Sequence, residues 1–394
     1  MRQRARRLLL LFADTGGGHR SAARAVAQAL QERYGEQAQV ELVDALADYA
    51  PWPFNHLDTI YPGIVRLGGW PWASGYHLSD GPRRATLLVR SCWSLAREAA
   101  NQLIQNHPAD AIVCCHPTFN HVLVQALQSG QGRTAVVTLV ADLATAHALW
   151  FAPGVSRCLV PTEGVRQCAT ACGLPAERIL VTGLPVNSQF ISASSQNPLA
   201  VRRRLGLGTD RPLVLLLGGA EGMGPLRRLC KAVANSGVQA QLVVVAGRNG
   251  RLQERLSAVE WPLPVRVEGF VHNMHEWMRA ADLLVTKAGP STISEALIMG
   301  LPIVLSGALP GQEQPNVDYV VRAGAGVWAP TPGRVAKTVR ELMSPGNNRL
   351  AQMAARAQTL ARPDAARRVA EIVWAAASDP SVTESPAPAQ APRR

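Results

Sequence analysis

A run of three glycines followed by a histidine is the first chemistry the chain offers. Residues 8–12 are continuously apolar, Asp14-Thr15-Gly16-Gly17-Gly18-His19-Arg20 follows, and a helical pattern begins at Ser21, with Ala22, Ala25, Val26, Ala29 and Leu30 on one face. Glycines such as Gly17 and Gly18 let the backbone come close to a ligand. A histidine at or near a helix N-terminus has its neutral form favoured, as a general base requires, so His19 is the candidate base. The alternative is a tight turn with His19 as a cap.

The second chemistry is anion binding. Residues 282–285 read as a buried strand that breaks at Lys287-Ala288-Gly289-Pro290. Ser291 or Thr292 is expected to cap a helix running to about Met299, and Gly300-Leu301-Pro302 stops it. A glycine turn ahead of a capped helix leaves unpaired N–H groups at the positive end of a helix dipole, a site suited to phosphate. Glu295, about one turn in, is placed to accept hydrogen bonds from a diol such as a ribose. An ordinary strand-to-helix connection would use the same residues. A second glycine-rich loop, Gly218-Gly219-Ala220-Glu221-Gly222-Met223-Gly224-Pro225, follows apolar residues 213–217, and Gln312, Glu313 and Asn316 form a polar cluster further on.

These residues need a scaffold, and the hydrophobic runs supply one. Strands are expected at 8–12, 40–43, 111–115, 135–140, 157–160 and 179–181, then at 213–217, 241–245, 265–267, 282–285 and 303–305. Strand–helix alternation with continuously apolar strands predicts an α/β chain of two doubly wound, Rossmann-like domains facing across a cleft. Ligands then belong at the carboxyl ends of the strands, where His19, His116 and Asp142 fall. The expected division is an N-terminal domain over 1–187, a linker over 188–200, a C-terminal nucleotide-sugar-binding domain over 201–378 and a disordered tail over 379–394. Residues 49–80 carry Pro51, Trp52, Tyr61, Trp70, Trp72 and Tyr76 without helical or strand pattern. A long aromatic insertion flanked by Arg66, Arg83, Arg84 and Arg90 suits a membrane interface, or else covers a subsidiary core.

Composition narrows the classes. Formal net charge is +12, which implies an anionic partner, either a phosphorylated ligand or an anionic membrane surface. Nucleic acid is discounted, because no binding module or aromatic-interleaved basic stripe is present. Seven cysteines without scaffold or Cys-x-x-Cys spacing read as reduced thiols rather than a metal site. No apolar run approaches the about 18 residues of a membrane-crossing helix, and the basic start followed by residues 8–12 reads as a first strand rather than a signal peptide. Two anion sites on one domain and a base on the other are what transfer of a sugar from a nucleotide diphosphate needs. No Asp-x-Asp metal pair precedes the diphosphate site, so helix dipoles and amides are expected to stabilise the leaving group without metal or cofactor.

Six motifs in order carry a family resemblance: Asp14–Arg20, Gly218–Pro225, Gly247-Arg248-Asn249, Gly269-Phe270-Val271 with Asn273-Met274, Thr286–Pro290, and Gly311-Gln312-Glu313 with Asn316. The chain resembles the monogalactosyldiacylglycerol synthases and the bacterial processive diacylglycerol glucosyltransferases, inverting enzymes of the GT-B fold and glycosyltransferase family 28. The resemblance implies UDP-galactose or UDP-glucose as donor and the sn-3 hydroxyl of diacylglycerol as acceptor, with His19 as its base. It implies a diphosphate clamp from Gly218, Gly219, Gly222 and the turn of Gly289, Ser291 and Thr292. Phe270 and Val271 would frame uracil, Glu295 the ribose, Gln312 and Glu313 the hexose, with Asn316 in the same cluster and Arg248 adding charge. The glycine loop with Trp52, Trp70 and Trp150 would meet the acceptor, at the cytoplasmic face of a bacterial membrane. Ser291, Ala220 and Pro315 depart from the usual pattern. Another lipid acceptor, a nucleotide-sugar epimerase of the same architecture and a non-catalytic nucleotide-sugar sensor are the competing readings.

Overall fold

The structure, a computed structural model, describes residues 4–14, 17–52, 54–56, 63, 70–128, 134–222 and 224–378. Its strands form two all-parallel six-stranded sheets. The first runs in the order β2-β1-β3-β4-β5-β6, from β1 (Arg6–Phe12), β2 (Ala38–Asp44), β3 (Ala111–Cys114), β4 (Ala135–Leu139), β5 (Arg157–Val160) and β6 (Ile179–Val181). The second runs β12-β11-β10-β7-β8-β9, from β7 (Leu213–Leu217), β8 (Gln241–Val245), β9 (Val265–Glu268), β10 (Leu283–Lys287), β11 (Ile303–Gly307) and β12 (Gly326–Trp328). Helices cover both faces, which is why the central strands read as unbroken apolar runs. Leu8 to Leu11 and Leu213 to Leu216 are all buried, their alternate residues feeding separate cores on the two faces of each sheet.

The strand order places the chemistry. In the first sheet the chain goes from β1 to β2 on one side and returns to β3 on the other, so the crevice opens where β1 and β3 end. In the second sheet β8 and β9 build one side of β7, and β10 then pairs with its other side. Open parallel sheets bind ligands at such reversals. The loops there are those of His19 and Cys115 in the first sheet, and of Gly219 and Gly289 in the second.

Three expectations change. Residues 188–200, expected as a linker, are largely helical. They form the helix Ser188–Ser194, capped by Asn187, and enter the helix Pro198–Arg204, capped by Asn197. Phe190, Ala193 and Val201 bury their side chains in the core under the second sheet. The span assigned to the second domain does not all belong there either. The helix Ala365–Ala376 packs on the first sheet, its Val369, Ala370 and Val373 sharing a core with Leu8, Leu10 and Val113. The aromatic stretch, expected to be irregular, contains a helix at Trp70–Ser79. The Trp70 side chain and the tail at 379–394 lie outside the described residues.

Candidate active site

The first glycine turn sets the candidate base. Gly17 precedes the helix Gly18–Tyr34 with φ of 85°, a left-handed conformation suited to glycine. A Cβ on Gly17 would lie 3.3 Å from the Ala220 Cβ, and one on Gly18 3.1 Å from the Ser291 Oγ, so this turn faces both glycine loops of the second sheet. His19 therefore sits in the first turn of a helix, at the mouth between the halves. Its Nδ1–H donates to the Cys115 carbonyl at 2.8 Å, which leaves Nε2 as the ring atom with a free lone pair. Desolvation lowers its pKa below the ordinary 6.5, opposed by the charge of Asp142, the hydrogen bond to Cys115 and the charge of Asp14. His116 stands edge-on with ring centroids 4.7 Å apart, and its own pKa is held well down by burial and by His19. Both rings are thus kept neutral.

Across the cleft, Lys287 ends β10 at the edge of the second crevice. Its Nζ pairs with the buried Glu313, whose other oxygen accepts from the Leu309 N–H at 2.8 Å. A Cβ on Gly289 would lie 3.2 Å from Lys287 Nζ and one on Gly219 3.7 Å from its Cε, so this cation sits between the two glycine turns. Thr292 and Ser291 do not cap the following helix. It spans Pro290–Met299 with Gly289 as its cap residue and Pro290 in its first turn, because proline's fixed φ and missing N–H suit that position. Ser291 and Thr292 line the cleft from inside that turn. Glu295 lines it one turn deeper, and burial pushes its carboxyl up to about 8.

The cleft encloses about 390 Å³ and draws its walls from both halves. Of the residues expected there, Gly17, Gly18, His19, Gly219, Arg248, Phe270, Val271, Gly289, Ser291, Thr292, Glu295, Gln312 and Glu313 line it. Phe270 is half-exposed with the Arg248 guanidinium 5.0 Å from its ring centre, and Arg248 also pairs with Glu221.

Other expected residues serve elsewhere. Gly218 lies outside the cleft lining, at the end of β7. Gly222 braces the loop: a Cβ there would come 2.0 Å from the Ala246 carbonyl oxygen. Asn316 is buried with its amide already committed, accepting from the Ala144 N–H at 3.0 Å and donating to the Ala288 carbonyl at 2.9 Å. It clasps the two halves. Glu313, which does line the cleft, also holds Lys287 and the Leu309 N–H. Trp150 is no acceptor surface; it is fully buried, its Nε1–H donating to Asp142 at 2.7 Å and its ring 5.9 Å from His19. Trp52, by contrast, is 79% exposed.

Sequence reasoning gave no role to Lys287 or to the carboxylate of Asp142. A lysine on the last residue of a strand, two positions before a helix-starting glycine, was the available signal for the first. Nothing in the sequence shows that Asp142 meets Gln312, whose Nε2–H donates to it at 2.9 Å.

Comparison with known proteins adds to this geometry. Residues 19–186 match the monogalactosyldiacylglycerol (MGDG) synthase family, and residues 213–369 the glycosyltransferase family 28 C-terminal domain. The monogalactosyldiacylglycerol synthase of Spinacia oleracea is 40% identical over 92% of this chain and 71% of its own length. Monogalactosyldiacylglycerol synthase 2 of Arabidopsis thaliana is 37% identical over 92% of this chain and 79% of its own. Among solved structures, Acinetobacter baumannii MurG superposes with a TM-score of 0.59 at 18% identity, covering 94% of this chain and 99% of that one. Anabaena Alr3699/HepE in complex with UDP and glucose gives 0.54 at 17% identity, over 94% and 100%. Those likenesses show the fold, GT-B. With the sequence matches running from the first crevice through the second, the chain belongs to the monogalactosyldiacylglycerol synthase family of glycosyltransferases.

Proposed function

We propose that this protein transfers a hexosyl group from a UDP-hexose to the sn-3 hydroxyl of 1,2-diacylglycerol, with inversion at the anomeric carbon, giving a β-glycosyl-diacylglycerol. The names of its relatives favour galactose. One observation carries the reading: His19 Nε2 and the Lys287–Gly289 turn line the same cleft from opposite halves. In the reaction, Nε2 takes the proton from the acceptor hydroxyl as its oxygen attacks the anomeric carbon. The bond from that carbon to the diphosphate breaks on the opposite face, and UDP departs with the electron pair. Lys287 and the amides at the start of Pro290–Met299 meet the charge that develops on the diphosphate, so no metal is assigned to the leaving group. Phe270 and Val271 flank the base, Glu295 the ribose and Gln312 the hexose.

The acceptor is a lipid, and the first half carries a surface to meet it. Among the described residues no helix is long and apolar enough to cross a membrane. The helix Pro82–Asn106 instead exposes Leu87, Leu88 and Leu95 together with Arg83, Arg84 and Arg90, and Leu78 is exposed on the helix before it. Apolar side chains interleaved with arginines suit an anionic lipid surface. The test is transfer from labelled UDP-galactose and UDP-glucose to diacylglycerol in anionic vesicles. Labelled lipid that disappears in His19→Ala while UDP binding persists is the expected result; no labelled lipid from either donor would end the proposal.

A further inference from the structure

We infer that Asp142 is a positioning residue of the transfer, fixing through one carboxylate both the amide of Gln312 on the donor side and the ring that backs His19 on the acceptor side. Asp142 follows β4 and is 6% exposed, at the crevice of the first sheet. One carboxylate oxygen accepts from Trp150 Nε1 at 2.7 Å and the other from Gln312 Nε2 at 2.9 Å. The first bond stays within the N-terminal half. The second crosses the cleft.

A carboxylate only accepts, so Gln312 must turn its NH2 toward Asp142 and keep Oε1 for the cleft. Oε1 is thereby set to accept from a hexose hydroxyl. On the other oxygen, Trp150 is held with its ring tilted 37° to the imidazole of His19 and 5.9 Å away. When His19 takes a proton, the imidazolium forms close to this carboxylate. The other charged or titratable groups facing the ring are Asp14, which Arg20 offsets through a 2.7 Å ion pair, and His116, which is kept neutral. Asp142 is the buried anion left to stabilise the protonated base. Because Gln312 shares that anion, sugar placement and proton transfer are set by one group.

This assignment rests on His19 being the base, and the experiment separates the two. Asp142→Asn keeps size and can still accept from Trp150, but it removes the charge and frees Gln312 to rotate. Its kcat is expected to fall about tenfold or more, the KM for UDP-hexose to rise, and the acid limb of the kcat/KM profile to move down by about one pH unit. Gln312→Ala strips one donor from the carboxylate, so its limb moves to higher pH while the donor KM again rises. Opposite limb shifts support the inference; limbs unmoved, or moved the same way, overturn it. If Asp142→Asn fails to bind UDP and so is misfolded, Gln312→Ala decides alone, with an upward limb supporting and any other result overturning. His19→Ala runs in parallel. Transfer persisting there would remove the base itself, whereas its loss beside unmoved limbs would remove only Asp142.

Discussion

The imidazole of His19 is tied through Nδ1 to the carbonyl of Cys115, so the end of one strand fixes the tautomer of a residue that follows its neighbour in the sheet. Under the proposed transfer, the consequence is a base whose pKa lies below the usual histidine range. Burial lowers its pKa from 6.5, so the neutral form persists as pH falls through 6.5 and is lost only at the lower folded value. The kcat/KM profile for transfer to diacylglycerol should therefore show its acid limb below pH 6.5. A limb at or above that value would contradict the geometry.

The same burial makes the fold acid-sensitive. His19, His116, His121 and His147 all have lowered pKa values, burial being the largest cause for each. Below 6.5 the unfolded chain binds more protons at these sites than the native one, so their contribution to stability is complete above 6.5 and falls as pH drops toward the folded values. Glu295 works against them, because its carboxyl, raised to about 8, takes up a proton on folding and gains stability as pH falls from 8 toward 4.5. With four histidines against one carboxyl, melting temperature should still decline below 6.5, and His116→Gln should flatten the decline.

Lys287 should dominate the grip on diphosphate. A hydrogen bond to a charged partner contributes about 1.5–3 kcal/mol, so Lys287→Met should weaken UDP binding roughly tenfold to a hundredfold by that principle. Calorimetric titration with UDP measures this, and repeating the transfer assay in EDTA checks that no metal ion shares the task. Glu313→Gln, which loosens the lysine without removing it, should cost less.

Gly222 should not tolerate a side chain. Its φ is +57° and a Cβ would come 2.0 Å from the Ala246 carbonyl. The backbone conformation alone costs a non-glycine residue about 1–3 kcal/mol, and the clash adds to that. Gly222→Ala should lower the melting temperature and weaken UDP binding together, because the loop it braces carries Gly219. Unchanged melting would refute the bracing role.

Membrane attachment should depend on the exposed face of Pro82–Asn106. Replacing Arg83, Arg84 and Arg90 by glutamine removes attraction of about 1 kcal/mol per charge at an anionic surface. Flotation with phosphatidylglycerol vesicles should drop steeply and become insensitive to salt, while UDP binding is unchanged. Equal flotation would move the docking surface elsewhere.

Much of the fold was legible because its signals are local. Strands buried on both faces must be apolar throughout, and residues 8–12 and 213–217 announce themselves that way. The glycine loops were legible for a similar reason, since Gly17 and Gly219 adopt backbone angles that other residues resist. What stayed hidden depends on which loops meet. Asn316 and Ala144 are 172 positions apart, as one hydrogen bond between them records, and no local pattern foretells it. Trp150 looked like an aromatic for lipid because its indole partner, Asp142, cannot be inferred from spacing alone. The alanine-rich helix Ala365–Ala376 shows an apolar face to any reader, but not which sheet receives it.

That returning helix has a mechanical consequence. The chain passes between the halves twice, once after β6 and once before Ala365, and the two passages touch at Gly183, where a Cβ would sit 2.6 Å from that of Arg362. A single crossing would act as a tether about which one half could swivel freely. Two crossings held against each other at Gly183 tie the halves by two stretches of backbone rather than one, so the gap between His19 and Lys287 is set by both passages together.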